Sequence, residues 1–118
     1  GLDFYIEASL SKFGVRGLVY HSGMATFTAS GITVQYPSPN GIDPLEIGFK
    51  TAYVDFFQQK GYKVVYIGDG LSDRVPASKA SYVFARGSLL DSCRSSGVPH
   101  SAFSDFRDVI GVLKALDI

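Results

Sequence analysis

Cysteine is nearly absent. Cys93 stands alone among 118 residues, so the chain forms no internal disulfide, and a reducing, cytoplasmic compartment is the expectation. Net charge is absent too, with eleven basic residues against eleven acidic ones. That balance gives no bulk field to draw the chain to nucleic acid or to an anionic membrane surface. No apolar run approaches the ~20 residues of a membrane span, and the N-terminal stretch lacks the basic-then-apolar layout of a secretory signal. Internal repeats, low-complexity tracts and linkers are missing as well, so a single domain over 1–118 is expected. Apolar material, by contrast, is plentiful. At 46% hydrophobic and 14% aromatic residues, the chain can build a folded core. A length of 118 residues is nonetheless small for a whole α/β enzyme, and Gly1 in place of methionine reads as a processed product or a piece of something longer.

The periodicities suggest alternating helices and strands. Apolar residues at Leu2, Ile6, Leu10 and Phe13 recur at helical spacing and stop at Gly14. Leu18-Val19-Tyr20 reads as a buried strand. Stretches 25–29 and 32–36 flank Ser30-Gly31 as a β-hairpin whose threonines line a wet face. Pro37 to Gly41 is a loop by composition. Lys50 to Lys60 forms a helix closed by Gly61, and it feeds a strand at 63–67. A short helix and the strand Tyr82-Val83-Phe84-Ala85 follow, then a helix from Leu89 to Ser96 and a short edge strand within 98–102. The closing helix, 104–116, takes Ser104 as N-cap and Phe106, Val109, Ile110, Leu113 and Leu116 as its core side. Strands alternating with helices imply an α/β, Rossmann-like parallel sheet layered by helices, with the hairpin near 25–36 as an insertion.

The chain is organised around Val64-Val65-Tyr66-Ile67-Gly68-Asp69-Gly70-Leu71-Ser72-Asp73. The four apolar residues read as a strand buried on both faces, interior to a parallel sheet. Ligands of such sheets sit beyond the carboxyl ends of the strands, where the turn places Asp69 and Asp73. Two carboxylates there suit a hard divalent cation such as Mg²⁺, with water and phosphate oxygen completing its shell. The spacing alone leaves another reading open, in which Ser72 or Asp73 simply caps the next helix. His21 and His100 have no second ligand at metal spacing, and Cys93 reads as a small buried hydrophobe. Arg74 and Arg86 could touch a phosphate, but surface solvation is the better reading.

The acidic turn, the run Val83-Phe84-Ala85-Arg86 with Leu89-Leu90, Cys93-Arg94, Gly97-Val98-Pro99 and Asp105-Phe106 together resemble the haloacid dehalogenase superfamily of phosphohydrolases. The resemblance covers nearly the whole chain and is closest to the branch of phosphoserine phosphatase and the ketopentenyl-phosphate phosphatases of methionine salvage. It implies a HAD-like fold, a Mg²⁺ ion held by Asp69 and Asp73, and catalytic roles for Asp73 and for Lys50, which matches the third-motif lysine. A lysine there neutralises charge on the phosphoryl group and on neighbouring carboxylates.

One part of the family pattern does not occur in this sequence. The nucleophilic D-x-D-x-T/V motif is missing; Asp3-Phe4-Tyr5-Ile6 lies in a helix pattern without the second acid, and Gly1-Leu2-Asp3-Phe4-Tyr5-Ile6 resembles the segment just after the second motif. The expectation is therefore the C-terminal portion of a phosphatase core, whose parent protein acts on a small phosphorylated metabolite. The nucleophile and cap would be supplied by an N-terminal segment, and this chain alone would be inactive. Two rivals remain: a non-catalytic domain serving as a partner-binding or structural module, and a chain that complements a separate N-terminal one. The hairpin edge is the natural docking point for a partner of the module.

Overall fold

The computed structural model describes residues 1–39 and 47–116. They fall into two compact units, Gly1–Phe49 and Lys50–Ile118. The loop expected at 37–41 lies partly outside the described residues.

The first unit holds helix α1 (Asp3–Lys12) and an antiparallel hairpin of β1 (Met24–Thr28) and β2 (Gly31–Gln35), close to the expected bounds. Asp3 ties the two parts together. Its Oδ1 accepts hydrogen bonds from the Phe4 and Ala25 amides at 2.9 and 3.1 Å, so one carboxylate fixes both the start of the helix and the entry to the hairpin. The register pairs Phe27 with Ile32 and Thr26 with Thr33. Leu18-Val19-Tyr20 forms no strand, a correction to the expectation above. Val19 is 82% exposed, and β-branched propensity without a pairing partner does not make a strand.

The second unit carries helix α2 (Phe49–Gln59), strand β3 (Val65–Gly68), helix α3 (Arg74–Lys79), strand β4 (Tyr82–Ala85), helix α4 (Gly87–Ser96), strand β5 (Ser101–Ala102) and helix α5 (Phe106–Ala115). The sheet is parallel with order β3-β4-β5. Strand β4 is central, and Val83, Phe84 and Ala85 are buried. Val83 and Ala85 share one face and join a core with Ala77, Leu89 and Cys93. Helix α4 ends on Gly97 at φ +73°, a left-handed cap that glycine takes without strain. No helix among the described residues is long and apolar enough to cross a membrane.

Two expectations need correcting in this unit. The strand at 63–67 is not interior: β3 is an outer strand of the three-stranded sheet, and Ile67 is 38% exposed. A continuous apolar run reports what covers the faces of a strand, not whether both of its edges are paired. The closing helix also buries less than its pattern promised. Val109 is buried, whereas Phe106 and Ile110 are 62% and 50% exposed. The N-cap moves by one residue as well. Asp105, in extended backbone, accepts the Arg107 amide at 2.8 Å, and Asp108 accepts the Ser104 amide at 2.8 Å.

Phe84 is wholly buried in the central strand, so its truncation leaves a cavity that a small sheet cannot collapse to fill. Phe84→Ala is expected to cost about 3–5 kcal/mol, read as a lower urea midpoint of the second unit by far-ultraviolet circular dichroism.

Candidate active site

Every residue singled out for chemistry lies in the second unit. Strand β3 ends at Gly68, and the chain passes through Asp69 and Gly70 into a single 3₁₀ turn, Leu71–Asp73, that runs into α3. That turn folds the Asp73 side chain back beneath the strand end, where the residue is 4% exposed. Asp73 Oδ1 accepts the Lys50 ammonium at 2.5 Å and the Tyr66 hydroxyl at 2.7 Å. Asp73 Oδ2 accepts the amides of Asp69 and Gly70 at 3.1 and 3.0 Å. Lys50 also donates to Ser72 Oγ at 3.3 Å. A Cβ on Gly68 would stand 2.7 Å from Asp73 Oδ2, so glycine at this position is what admits the carboxylate.

The electrostatics follow from that packing. Burial alone would raise the pKa of Asp73. Hydrogen bonds from Lys50, Tyr66 and the Gly70 amide, with the charge of Lys50, outweigh burial and hold the carboxyl at about 2. Burial, then the hydrogen bond to Asp73 and its charge, push the Tyr66 phenol far up, so it stays a donor.

Asp69 is arranged differently. Its backbone is pinned: the amide donates to Asp73, while the carbonyl accepts Ser88 Oγ at 3.2 Å and the Leu89 amide at 3.3 Å. Its side chain points outward, 63% exposed, with the Arg86 guanidinium 3.5 Å from Oδ2. It borders a cleft of about 290 Å³ lined also by Ile67, Arg86, Phe103, Ser104 and Phe106. Lys50 and Asp73 are thus brought into direct contact, but they do not line the cleft that Asp69 borders.

These positions bear on which residues suit a metal. Each oxygen of Asp73 already accepts two hydrogen bonds, so binding a cation there would dismantle the turn; the donor set does not fit it as a ligand. Asp69 does fit, because a hard cation can take one carboxylate and complete its shell with water and substrate oxygen. Among the described residues, no three His, Cys, Asp or Glu side chains gather into a cation site. His100 is engaged locally, its Nδ1 lying 2.7 Å from the Val98 carbonyl oxygen.

Two participants escaped the sequence reading. Tyr66 looked like one more apolar strand residue, and its hydroxyl gave no signal. Arg86 was named as able to touch a phosphate but set aside as solvated, although its place directly after β4, beside the end of β3, was a usable cue.

No protein-family model matches the chain. Across 97% of its residues it is 29% identical to 2-hydroxy-3-keto-5-methylthiopentenyl-1-phosphate phosphatase of Brevibacillus brevis, covering 52% of that protein. Over its full length it is 43% identical to the protein of the same name from Geobacillus thermodenitrificans and 27% identical to that from Exiguobacterium sibiricum, covering 54% of each. The chain spans about half the length of the curated relatives it matches. A parallel sheet flanked by helices and a separate hairpin, together with these relatives, define a HAD-like α/β fold similar to that of the haloacid dehalogenase phosphatases. Among those phosphatases, its resemblance is to the ketopentenyl-phosphate phosphatase branch.

The low pKa of Asp73 has a signed consequence. A carboxyl depressed in the folded state contributes stability above its unfolded pKa of ~3.9, and that contribution is lost as pH falls toward the folded value. Urea midpoints are expected to fall between about pH 4 and pH 2, with a contribution on the order of 2 kcal/mol from this one group. Asp73→Asn should flatten that part of the curve. An equally steep acid limb in the variant would show that the network does not govern it.

Proposed function

We propose that this chain is part of the core of a Mg²⁺-dependent phosphomonoester phosphatase. The observation that carries the reading is the Lys50–Asp73 ion pair at 2.5 Å, set under an acidic turn at the carboxyl end of a parallel strand. Lys50 is the anchor for the phosphoryl group, with its ammonium held in place by Asp73. Asp73 acts through Lys50 and through the turn and is a positioning residue, not a metal ligand. Asp69 is the carboxylate offered to the cation. When bound, that ion supplies positive charge for the phosphoryl oxygens.

The parent protein's substrate, on this reading, is a small phosphorylated metabolite of the kind named in its relatives, a hydroxy-keto-methylthiopentenyl phosphate. A buried lone cysteine, its thiol pKa raised by burial, suits the reducing, cytoplasmic setting expected for such an enzyme. The nucleophile and cap belong to a segment outside these residues. The outer edge of β3, beside the acidic turn, is a place where a further strand would bring a nucleophile to the site.

Two measurements test this reading. Inorganic phosphate titrated with Mg²⁺ and followed by ³¹P NMR should bind the chain, and Lys50→Met should weaken that binding by about tenfold or more, the worth of a charge-assisted contact. Turnover of p-nitrophenyl phosphate by the chain alone should equal a metal-only control, because losing a nucleophile removes several orders of magnitude of rate. Hydrolysis well above the control, and abolished by Asp69→Asn, would place a nucleophile within these residues and overturn the division of labour.

A further inference from the structure

The turn after β4 is clamped to the acidic turn after β3. Ser88 Oγ and the Leu89 amide both donate to the Asp69 carbonyl, and the Arg86 amide donates to the Gly68 carbonyl at 3.2 Å. Gly87 permits this approach: it sits at φ +55°, and a Cβ there would stand 2.8 Å from the Asp69 carbonyl oxygen. The clamp presents the Asp69 carboxylate and the Arg86 guanidinium to one cleft, whose lining also includes Asp105, a carboxylate already paired with Arg107.

Arg86 has anchors of its own. Its Nη1 donates to the Ser104 carbonyl at 3.2 Å, and the guanidinium lies 5.5 Å from the centroid of the Phe103 ring. Against these, the contact with Asp69 is the loosest, at 3.5 Å and exposed on both sides. Such a pair is worth little by itself, so Asp69 can be surrendered while stacking and the carbonyl bond keep the guanidinium where it is.

We infer that Arg86 is the resident counter-ion of Asp69, a positioning residue that competes with the divalent cation for this carboxylate. It holds the side chain at the cleft mouth while no cation is present. Once the cation takes Asp69, the guanidinium remains beside it, and the nitrogen donor released from the carboxylate is free for an oxyanion in the same cleft. This inference rests on the reading of Asp69 as the cation's carboxylate.

The test is isothermal titration calorimetry of the whole chain with MgCl₂, and with MnCl₂ as a second probe, at constant ionic strength. Arg86→Gln should tighten cation binding by about fivefold, the scale of an exposed ion pair. Arg86→Lys, which keeps the charge but loses the planar fork, should stay within about twofold of the unsubstituted chain. Asp69→Asn should abolish binding in either background. Unchanged or weaker binding in Arg86→Gln, while Asp69→Asn still abolishes it, overturns the role of Arg86 and leaves Asp69 as the ligand. Equal tightening in the Gln and Lys variants also overturns it, because loss of stacking and not of charge would then be the cause. Binding that survives Asp69→Asn overturns both readings. Thermal melts of each variant identify any that do not fold, and the Lys variant then carries the comparison with Asp69→Asn.

Discussion

A buried carboxylate must find donors for its lone pairs or give up its charge. Asp73 finds four: an ammonium, a phenol and two successive backbone amides. Those partners come from three separate places, the start of α2, the middle of β3 and the turn itself. Satisfying one side chain therefore fixes the position of Lys50, the end of β3 and the path of the chain through Gly70. The rest of the site inherits its geometry from this. Asp69 points outward because its amide is committed inward, and Arg86 meets it because the following turn is tied to its carbonyl.

The two aspartates four residues apart thereby take opposite physical roles. One is desolvated, fixed and saturated; the other is solvated and open at the cleft. A short acidic turn has an inside and an outside, a distinction the four-residue spacing does not encode. It also explains why the outer position of β3 does not undo the turn. The ordering interactions are local to residues 66–73 and to Lys50, and none of them needs a strand on the far side of β3.

Much of this unit was legible in the sequence. Glycines mark the ends of several elements, and the pattern Val83-Phe84-Ala85 announces a buried strand that the structure places at the centre. The hairpin was equally plain from Ser30-Gly31 between alternating runs. The misses share a cause: each depended on what lies across from a residue, which periodicity does not encode. Leu18-Val19-Tyr20 has strand composition and no strand partner. Phe106 and Ile110 keep helical spacing, yet they stay exposed while Val109 is buried. Tyr66 hid a polar function inside an apolar run, because a tyrosine counts as hydrophobic until its hydroxyl meets a carboxylate. Asp105 took the cap from Ser104 for a conformational reason, since its extended backbone lets a short carboxylate reach the helix amides.

Charge balance gives the acidic turn a further constraint. Lys50 is answered by Asp73, Arg86 by Asp69, and Arg107 by Asp105 at the same cleft, so these paired charges nearly cancel. A phosphomonoester carrying close to two negative charges at neutral pH would meet little net attraction there. Adding more fixed cations would strengthen the field, but they would repel one another and cost folding stability. A divalent ion that arrives with the substrate avoids that conflict, because its charge is present only when the dianion is there to answer it. An arrangement neutral by itself and made positive by a cation, as the proposed reading has it, also gives a reason for the asymmetry of the two pairs. The Lys50–Asp73 contact is short and buried on the carboxylate side, whereas the Arg86–Asp69 contact is long and exposed. On the proposed reading, the pair that would open for a cation is the weaker of the two.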